Sequence, residues 1–364
     1  MTTTTRAPSS TLTSFVVASR YMPVYLALVL LLIVASIWAP ATLGGVALAA
    51  IAPAGALLAI TALGQMLVIM TGGIDLSVPG TLTLAAMIMA GVGQQSDDRI
   101  WVAIFTAVGV GALIGLMNGI LIGGFKLNAL IVTLAMGQVV TGVVSRYSRS
   151  FPVQSAVPTG FSNWASTRIF GVSPIFWMGV GVTIIIILAL RYTTVGRRFQ
   201  VVGANPVASN VVGIRVTMNQ ILVYVVAGCL YAIAGVALAG QLRNPGVNIG
   251  SPYLLGPIAA VVIGGASLSG GLASPLSTFS AAFFLTGLNS MMRALGLPTA
   301  LQFVVFGVVI IGGMLVSGDR IIKAVERTLR ERRRPEGTRK QKTTVQTTGQ
   351  VEKGDSTTPD DFNI

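Results

Sequence analysis

The sequence predicts an all-α polytopic membrane protein, and three observations support this fold class. Hydrophobic residues make up 53% of the 364 positions and charged residues 10%, against about 25% charged residues in soluble domains. Long stretches have no charge, and Asp75 is the sole charged residue between Arg20 and Asp97. Glycine is frequent, with 43 residues, which suits helices that pack closely in lipid. Together these features predict a membrane-embedded bundle of about ten transmembrane helices.

Ten apolar runs approach the length of a transmembrane helix, which needs about 20 residues. In chain order they lie near 22–39, 46–70, 76–93, 100–122, 128–145, 172–190, 219–240, 253–268, 275–292 and 299–317. The third and the eighth runs fit the pattern least well. In the fourth run, Gly111, Gly115 and Gly119 are spaced four apart, which predicts a helix face that a neighbouring helix approaches closely.

An even number of spans places both chain termini on the same side of the membrane. Lys and Arg favour the cytoplasmic side, and most of them lie in the C-terminal tail, so both termini are predicted to be cytoplasmic. We divide the chain into a flexible N-terminus (1–20), a transmembrane domain (21–318) and a basic, largely disordered tail (319–364). The same topology places Lys126 and the arginine-containing loop 191–216 in the cytoplasm.

The composition argues against several classes of function. The chain has no histidine and one cysteine, Cys229, so no metal site, cofactor, disulfide or nucleophile–base pair is expected. No Gly-Lys dipeptide occurs, so the chain has no P-loop of the G-x-x-x-x-G-K-[ST] type and is not predicted to be an enzyme or an ATPase. The net charge of +13 is concentrated in the tail, where it favours anionic lipid over nucleic acid as a partner.

Asp75 lies in the segment MTGGIDLSVPG, between two apolar runs. A lone carboxylate in such surroundings costs a few kcal/mol unless it finds partners or water, and it therefore marks a functional place by default. The alternative is a helix cap, in which the Asp75 side chain accepts a backbone N–H at Ser77 or Val78. The two interpretations are compatible, and the sequence favours capping as the local role.

The segment from Gly72 to Ser77 has an echo later in the chain, from Gly264 to Ser269. In both places a glycine pair interrupts an apolar run, and a small or polar residue precedes the next helix. Gly-interrupted segments at corresponding positions of two related halves indicate the substrate pathway of a transporter. Two related halves are therefore one interpretation, and chance similarity is the other. Asp75 has no acidic counterpart in the second segment.

The loop 191–216 has apolar residues at helical intervals, with Gly203 and Pro206 at a break and Gly213 before the next span. This pattern predicts a short amphipathic helix. Such a helix fits the groove of a partner protein or lies on lipid headgroups with its arginines toward phosphate. Apart from Asp75, the acidic residues lie outside the apolar runs, which argues against coupling to ions and favours a pathway moved by a partner.

Four segments together match a family pattern. They read GGIDLSVPG, NGILIGGFKLNALIVTLAM, TTVGRRFQVVGANPVASNVVGI and YLLGPIAAVVIGGASLSGG. In combination, over about residues 45–317, they resemble the permease subunits of the ribose/xylose/arabinose class of bacterial ABC importers. The chain departs from the family pattern at Pro79, Ala204 and Leu254, which leaves the identity of the sugar open.

The resemblance implies a transport subunit of the bacterial cytoplasmic (inner) membrane, in contact with membrane lipid. It would act with a second permease (identical or different), cytoplasmic ATPase subunits and an extracytoplasmic sugar-binding protein. The resemblance assigns a pathway or helix-break role to Gly72, Gly73, Asp75, Ser77, Gly264, Gly265 and Ser267. It assigns contact with the ATPase subunits to Gly196, Arg197, Gly203, Asn205, Ala208, Gly213 and Ile214.

The predicted function is therefore that of a permease subunit for a monosaccharide or related polyol, driven by separate ATPase subunits. One alternative is a secondary transporter or facilitator that works alone. Another is an ABC permease for branched-chain amino acids or nucleosides, whose layout is similar.

Overall fold

The computed structural model describes residues 10–150 and 156–317. Within these ranges the chain is helical apart from connecting segments, and the sole β-type pairing is an isolated bridge between Ile169 and Val172. The all-α prediction is thereby confirmed. Residues 1–9 and the predicted basic tail lie outside the described residues.

The described residues form thirteen α-helices, which we number in chain order. They are α1 (Ser10–Trp38), α2 (Gly45–Met70), α3 (Val78–Gly93), α4 (Ile100–Gly119), α5 (Ala129–Ser150), α6 (Thr159–Ser166), α7 (Pro174–Tyr192), α8 (Thr194–Ala204), α9 (Pro206–Val211), α10 (Val216–Leu242), α11 (Gly256–Ile263), α12 (Pro275–Ala294) and α13 (Thr299–Ser317). Helix α1 begins inside the segment 1–20 that the sequence analysis treats as a flexible N-terminus.

Six helical segments among the described residues are long and apolar enough to cross a membrane. They are Tyr21–Trp38, Gly45–Met70, Asp97–Gly124, Ala129–Arg149, Pro174–Tyr192 and Val216–Leu242. Each of the other four predicted runs also overlaps a helix, namely α3, α11, α12 or α13. The chain is therefore a multi-pass membrane protein with shorter helices placed among its long ones.

The eighth predicted run, 253–268, is not one continuous spanning helix. Helix α11 has 8 residues and is about 12 Å long at 1.5 Å per residue, whereas the hydrocarbon core is about 30 Å thick. Pro257 lies in its first turn, and the glycine pair Gly264–Gly265 follows its last residue. An apolar run that looked continuous in sequence is therefore a short helix between two irregular segments.

Helices α2 and α10 form the centre of the bundle. Helix α2 packs against α7, α10, α11 and α12, and α10 packs against α3 and α4. The predicted glycine face of α4 is confirmed, since a Cβ at Gly115 would overlap the Tyr224 carbonyl oxygen of α10. Large apolar side chains such as Phe105, Ile131 and Ile185 are exposed on the outer helices, as expected for faces that contact lipid.

Helix α8, the end of α2 and the turn between α4 and α5 lie at one end of the bundle. Helix α2 ends there at Met70, whose carbonyl oxygen contacts Gly203 of α8 and Gly271 of the segment between α11 and α12. The turn between α4 and α5 lies at the same end, since the Lys126 ammonium is 3.3 Å from the Thr217 hydroxyl at the start of α10. We call this the α8 end.

Candidate functional site

Helix α2 ends in a glycine turn. The Gly72 N–H donates to the Ile69 carbonyl (2.9 Å) and the Gly73 N–H donates to the Val68 carbonyl (3.1 Å), which is the pair of bonds of a Schellman motif. Gly72 has a φ of +85°, which glycine adopts without steric cost. Gly73 lies against Tyr224, and a Cβ there would overlap the tyrosine hydroxyl. The two glycines are thus required for different reasons.

Helix α11 ends in the same way. The Gly265 N–H donates to the Val262 carbonyl (2.9 Å) and the Ala266 N–H donates to the Val261 carbonyl (3.1 Å). Gly265 has a φ of +83°. A Cβ at Gly264 would lie 3.0 Å from the backbone nitrogen of Thr278 in α12. One glycine therefore supplies the left-handed residue, and the other allows a close approach.

The structure corrects the sequence pairing of the two breaks by one residue. By geometry Gly72 corresponds to Gly265, whereas the sequence echo aligned Gly72 with Gly264 and Gly73 with Gly265. The Schellman motif depends on a left-handed residue directly after the C-cap, and the C-caps are Thr71 and Gly264. A match of letters alone could not identify which glycine of each pair holds that position.

Asp75 is buried, with 2% of its surface exposed, and its carboxylate bonds to the next helix start. Its Oδ1 accepts the Ser77 N–H (2.8 Å) and the Ser77 hydroxyl (2.6 Å). The predicted bond to the Ser77 N–H is present, but the N-cap of α3 is Ser77 itself, so Asp75 lies two residues before the cap. Its Oδ1 holds the cap residue with two bonds, which compensates in part for the burial of the carboxylate.

Gln65 of α2 holds the backbone of Asp75. In one orientation the Gln65 amide pairs with all its neighbours. The amide oxygen then accepts the Asp75 N–H, and the amide nitrogen donates to the Asp75 carbonyl and to the Tyr231 hydroxyl, each at 3.1 Å. Gln65 lies five residues before the end of α2 at Met70, or about 7.5 Å along the helix axis. The segment 71–77 therefore turns back into the bundle beside the helix it has just left.

Two further side chains complete this arrangement. The Asn118 amide of α4 donates to the Ser77 hydroxyl (3.0 Å). The Thr133 hydroxyl of α5 accepts the Leu76 N–H (3.0 Å) and donates to the Ala129 carbonyl (2.8 Å). Irregular backbone inside a membrane is tolerated where protein groups replace water, and side chains from α2, α4 and α5 supply those groups here.

The second break is held by its own backbone and by serines. The Ser267 N–H donates to the Leu272 carbonyl (2.9 Å), and the Gly270 N–H donates to the Ser267 carbonyl (3.1 Å). Ser274 is the N-cap of α12, and its hydroxyl lies 3.2 Å from that of Ser277. This break contains no charged residue, so the two breaks differ chemically although they share a turn geometry.

Helices α8 and α9 are capped by side chains of the predicted contact segment. The Thr193 hydroxyl accepts the Gly196 N–H (3.0 Å), and the Asn205 amide oxygen accepts the Ala208 N–H (2.9 Å). Gly213 ends α9 with a φ of +81°, and the Ile214 N–H donates to the Ser209 carbonyl (2.9 Å). These positions thus build the α8–α9 turn.

One predicted contact residue, Gly203, lies beside the end of α2 and the second break at the α8 end. A Cβ at Gly203 of α8 would overlap the Met70 carbonyl oxygen and lie 2.9 Å from the Gly271 nitrogen. The same Met70 carbonyl accepts the Gly271 N–H at 2.8 Å. The contact segment therefore touches the end of α2 and the second break at one point. Arg197, by contrast, is exposed.

Sequence reasoning missed several residues of this site. Gln65, Asn118 and Thr133 are buried polar residues inside apolar helices, and they hold the first break. A signal was present, because polar residues within transmembrane segments are rare and point to the bundle interior. Tyr224 carried no such signal, since tyrosine is common in apolar runs.

A family model described as "Branched-chain amino acid transport system / permease component" matches residues 47–314. The chain belongs to this permease family. No solved structure matches.

Several curated relatives of this family member are transport permeases. It is 34% identical to the ribose import permease protein of Escherichia coli (strain K12), over 72% of this chain and 82% of the relative. It is 30% identical to the autoinducer 2 import system permease protein of Enterobacter sp. (strain 638), over 85% and 89%. It is also 30% identical to the L-arabinose transport system permease protein of Escherichia coli (strain K12), over 74% and 80%. The resemblance drawn from the four sequence segments is confirmed.

Proposed function

We propose that this chain is the membrane-spanning subunit of an ATP-driven importer for a monosaccharide or related polyol in the bacterial inner membrane. The observation that carries the proposal is the similarity to ribose and L-arabinose permeases over more than two thirds of both chains. The fold agrees with it, because long apolar helices pack around two breaks in which Asp75, Gly264 and Ser267 are buried. The importer's cargo enters from an extracytoplasmic sugar-binding protein.

The proposed topology has about ten membrane-crossing segments, with both termini and the α8 end in the cytoplasm. The exposed Arg197 and Arg198 of α8 and the exposed Lys126 support this orientation, since basic residues favour the cytoplasmic side. The shared Schellman turns after α2 and α11 support two related halves. The short helix α3 starts at the first break, and the short helix α11 ends at the second.

The α8–α9 turn is proposed as the docking site of the ATPase subunits. Helix α9 exposes 74% of Val207 and 83% of Val211, and an exposed apolar face beside basic residues suits a protein groove. Gly203 then links the docked helix to Met70 and Gly271. The second permease completes the assembly, and the present chain contributes one of its two pathway walls.

The pathway role is proposed for the two breaks, with Gly72, Gly73, Asp75 and Ser77 in the first. Gly264, Gly265 and Ser267 belong to the second. A glycine turn at a helix end, held by side chains of other helices, is a joint at which packing changes in discrete steps. In this proposal, movement of α8 against Met70 changes the packing of the glycine turn at the end of α2.

The proposal is tested by uptake into liposomes that contain the chain with and without its ATPase subunits and sugar-binding protein. ATP-dependent uptake of D-ribose or L-arabinose by the complete assembly alone is the expected result. Uptake by the isolated chain would instead identify a stand-alone facilitator. Uptake of leucine in place of both sugars would identify a branched-chain amino acid permease, the class named by the family model.

A further inference from the structure

A pocket of about 250 Å³ lies at the α8 end, between the first break, the α4–α5 turn and α10. The polar and charged side chains in its wall come from three parts of the chain. They are Thr71, Lys126, Gln220 and Tyr224. The pocket is smaller than the sites of about 300–1,000 Å³ that hold drug-sized ligands, so a small solute is the fitting occupant.

Two residues that line this pocket each carry a buried polar atom with no partner among the described residues. The Tyr224 side chain is 1% exposed, and its hydroxyl makes no hydrogen bond. The Gln220 Oε1 is also buried and unbonded. Buried polar groups in native proteins are nearly always hydrogen-bonded, because an unpaired one is destabilising. Two such atoms in the wall of one pocket indicate a ligand that bonds to both.

The chemistry of the wall selects the class of ligand. Gln220 Oε1 requires a donor, the Lys126 ammonium requires an acceptor, and the Tyr224 hydroxyl serves as either. Inorganic phosphate is disfavoured, because near pH 7 it carries up to two negative charges and Lys126 is the one cation in the described wall. A metal cation is disfavoured, because no residue in the described wall is acidic and Lys126 repels it. Hydroxyl groups both donate and accept, so a polyol satisfies all three side chains.

We propose that this pocket binds a small polyhydroxyl solute, such as a monosaccharide, at the α8 end. One hydroxyl donates to Gln220 and another accepts from Tyr224, while Lys126 donates to a third. The choice of a sugar as the polyol rests on the proposed function. The pattern of hydrogen-bond donors and acceptors in the wall is independent of that function. Because Gly73 lies against the Tyr224 hydroxyl, the bound solute touches the first break, and the pocket is an inner site for cargo.

The test is isothermal titration of the purified full chain, in detergent without glycerol, with D-ribose and with L-arabinose. At least one sugar is expected to bind. Tyr224→Phe and Gln220→Met should each weaken binding about tenfold, the effect of losing roughly 1.4 kcal/mol. Ser162→Ala is the matched control, since its hydroxyl is also buried without a partner among the described residues but does not line the pocket. It should leave the affinity unchanged.

Thermal unfolding separates a loss of binding from a loss of folded protein in the variants. Tyr224→Phe removes a hydroxyl that has no partner, so its unliganded Tm should equal or exceed that of the unmodified chain. If that variant does not fold, Gln220→Met carries the comparison. Absence of binding by both sugars, equal affinity in the variants, or binding of inorganic phosphate in place of sugar would each overturn the proposal.

The titration contains no ATPase or binding protein, so it is independent of transport. Sugar binding without ATP-dependent uptake would overturn the proposed function and leave the pocket intact. Uptake without binding to the isolated chain would overturn the pocket and leave the function.

Discussion

The Gly271 N–H donates a hydrogen bond of 2.8 Å to the Met70 carbonyl, so the second break is bonded directly to the helix that precedes the first. Gly203 of α8 fits against the same carbonyl without room for a Cβ. Any displacement of α8 therefore changes the surroundings of both breaks together. This backbone contact is the structural basis for the proposed link between the docking helix and the pathway.

Gly203→Ala tests this link. The added methyl overlaps the Met70 carbonyl, a backbone atom that cannot rotate away, so α8 must move. Overpacking of this kind costs about 1–3 kcal/mol, and we expect a lower Tm and reduced uptake by the assembled importer. Gly142→Ala is the control, because nothing lies within 4 Å of a Cβ there. Equal Tm and uptake in the two variants would contradict the close packing.

Gly73→Ala and Gly72→Ala should respond differently to a second substitution. The Cβ at position 73 meets the Tyr224 hydroxyl, whereas the ring carbon that carries it is 3.5 Å away. Tyr224→Phe should therefore restore the Tm of Gly73→Ala. It should not restore that of Gly72→Ala, where the cost of about 1–2 kcal/mol comes from φ. Thermal unfolding of the three single and two double variants gives two double-mutant cycles that share Tyr224→Phe, and rescue of both glycine variants would refute the distinction.

Asp75 variants separate the hydrogen bond from the charge. Asp75→Asn retains an oxygen that accepts the Ser77 N–H, so the protein should insert and fold, with impaired uptake as the expected defect. Asp75→Leu leaves the Ser77 N–H unpaired in a buried site, at a cost of about 1–3 kcal/mol, and should reduce the amount of folded protein. Size-exclusion chromatography and uptake measure the two effects. Normal transport by Asp75→Leu would show that the bend does not depend on this side chain.

The all-helical fold and the position of the breaks followed from sequence because both rest on local chemistry. Apolar runs, glycine pairs and the lone Asp75 are visible within short windows. The register between the breaks was not visible, since Gly72 and Gly265 are distinguished by backbone dihedrals. The predicted length of α11 was too long for a related reason. Hydropathy shows which residues are apolar, but it does not show where the backbone stops being helical.

Contacts between distant segments explain most of what sequence reasoning missed. Gln65 and Asp75 are ten residues apart and face each other because the chain turns back. Tyr224 meets Gly73 from another helix altogether. Gly203 was selected as a contact residue, but its partner, the carbonyl of Met70, belongs to the backbone and has no sequence signature.

The exposed valines of α9 provide a test of the proposed contact with the ATPase subunits. Val211→Asp places a charge on a side chain that is 83% exposed, so the fold and Tm of the isolated chain should not change. If α9 enters a groove of the ATPase subunit, the charge must be desolvated there, and copurification of that subunit should fall about tenfold. Val247→Asp is the control, because Val247 follows the opposite end of α10. Undiminished copurification with Val211→Asp would place the ATPase contact elsewhere.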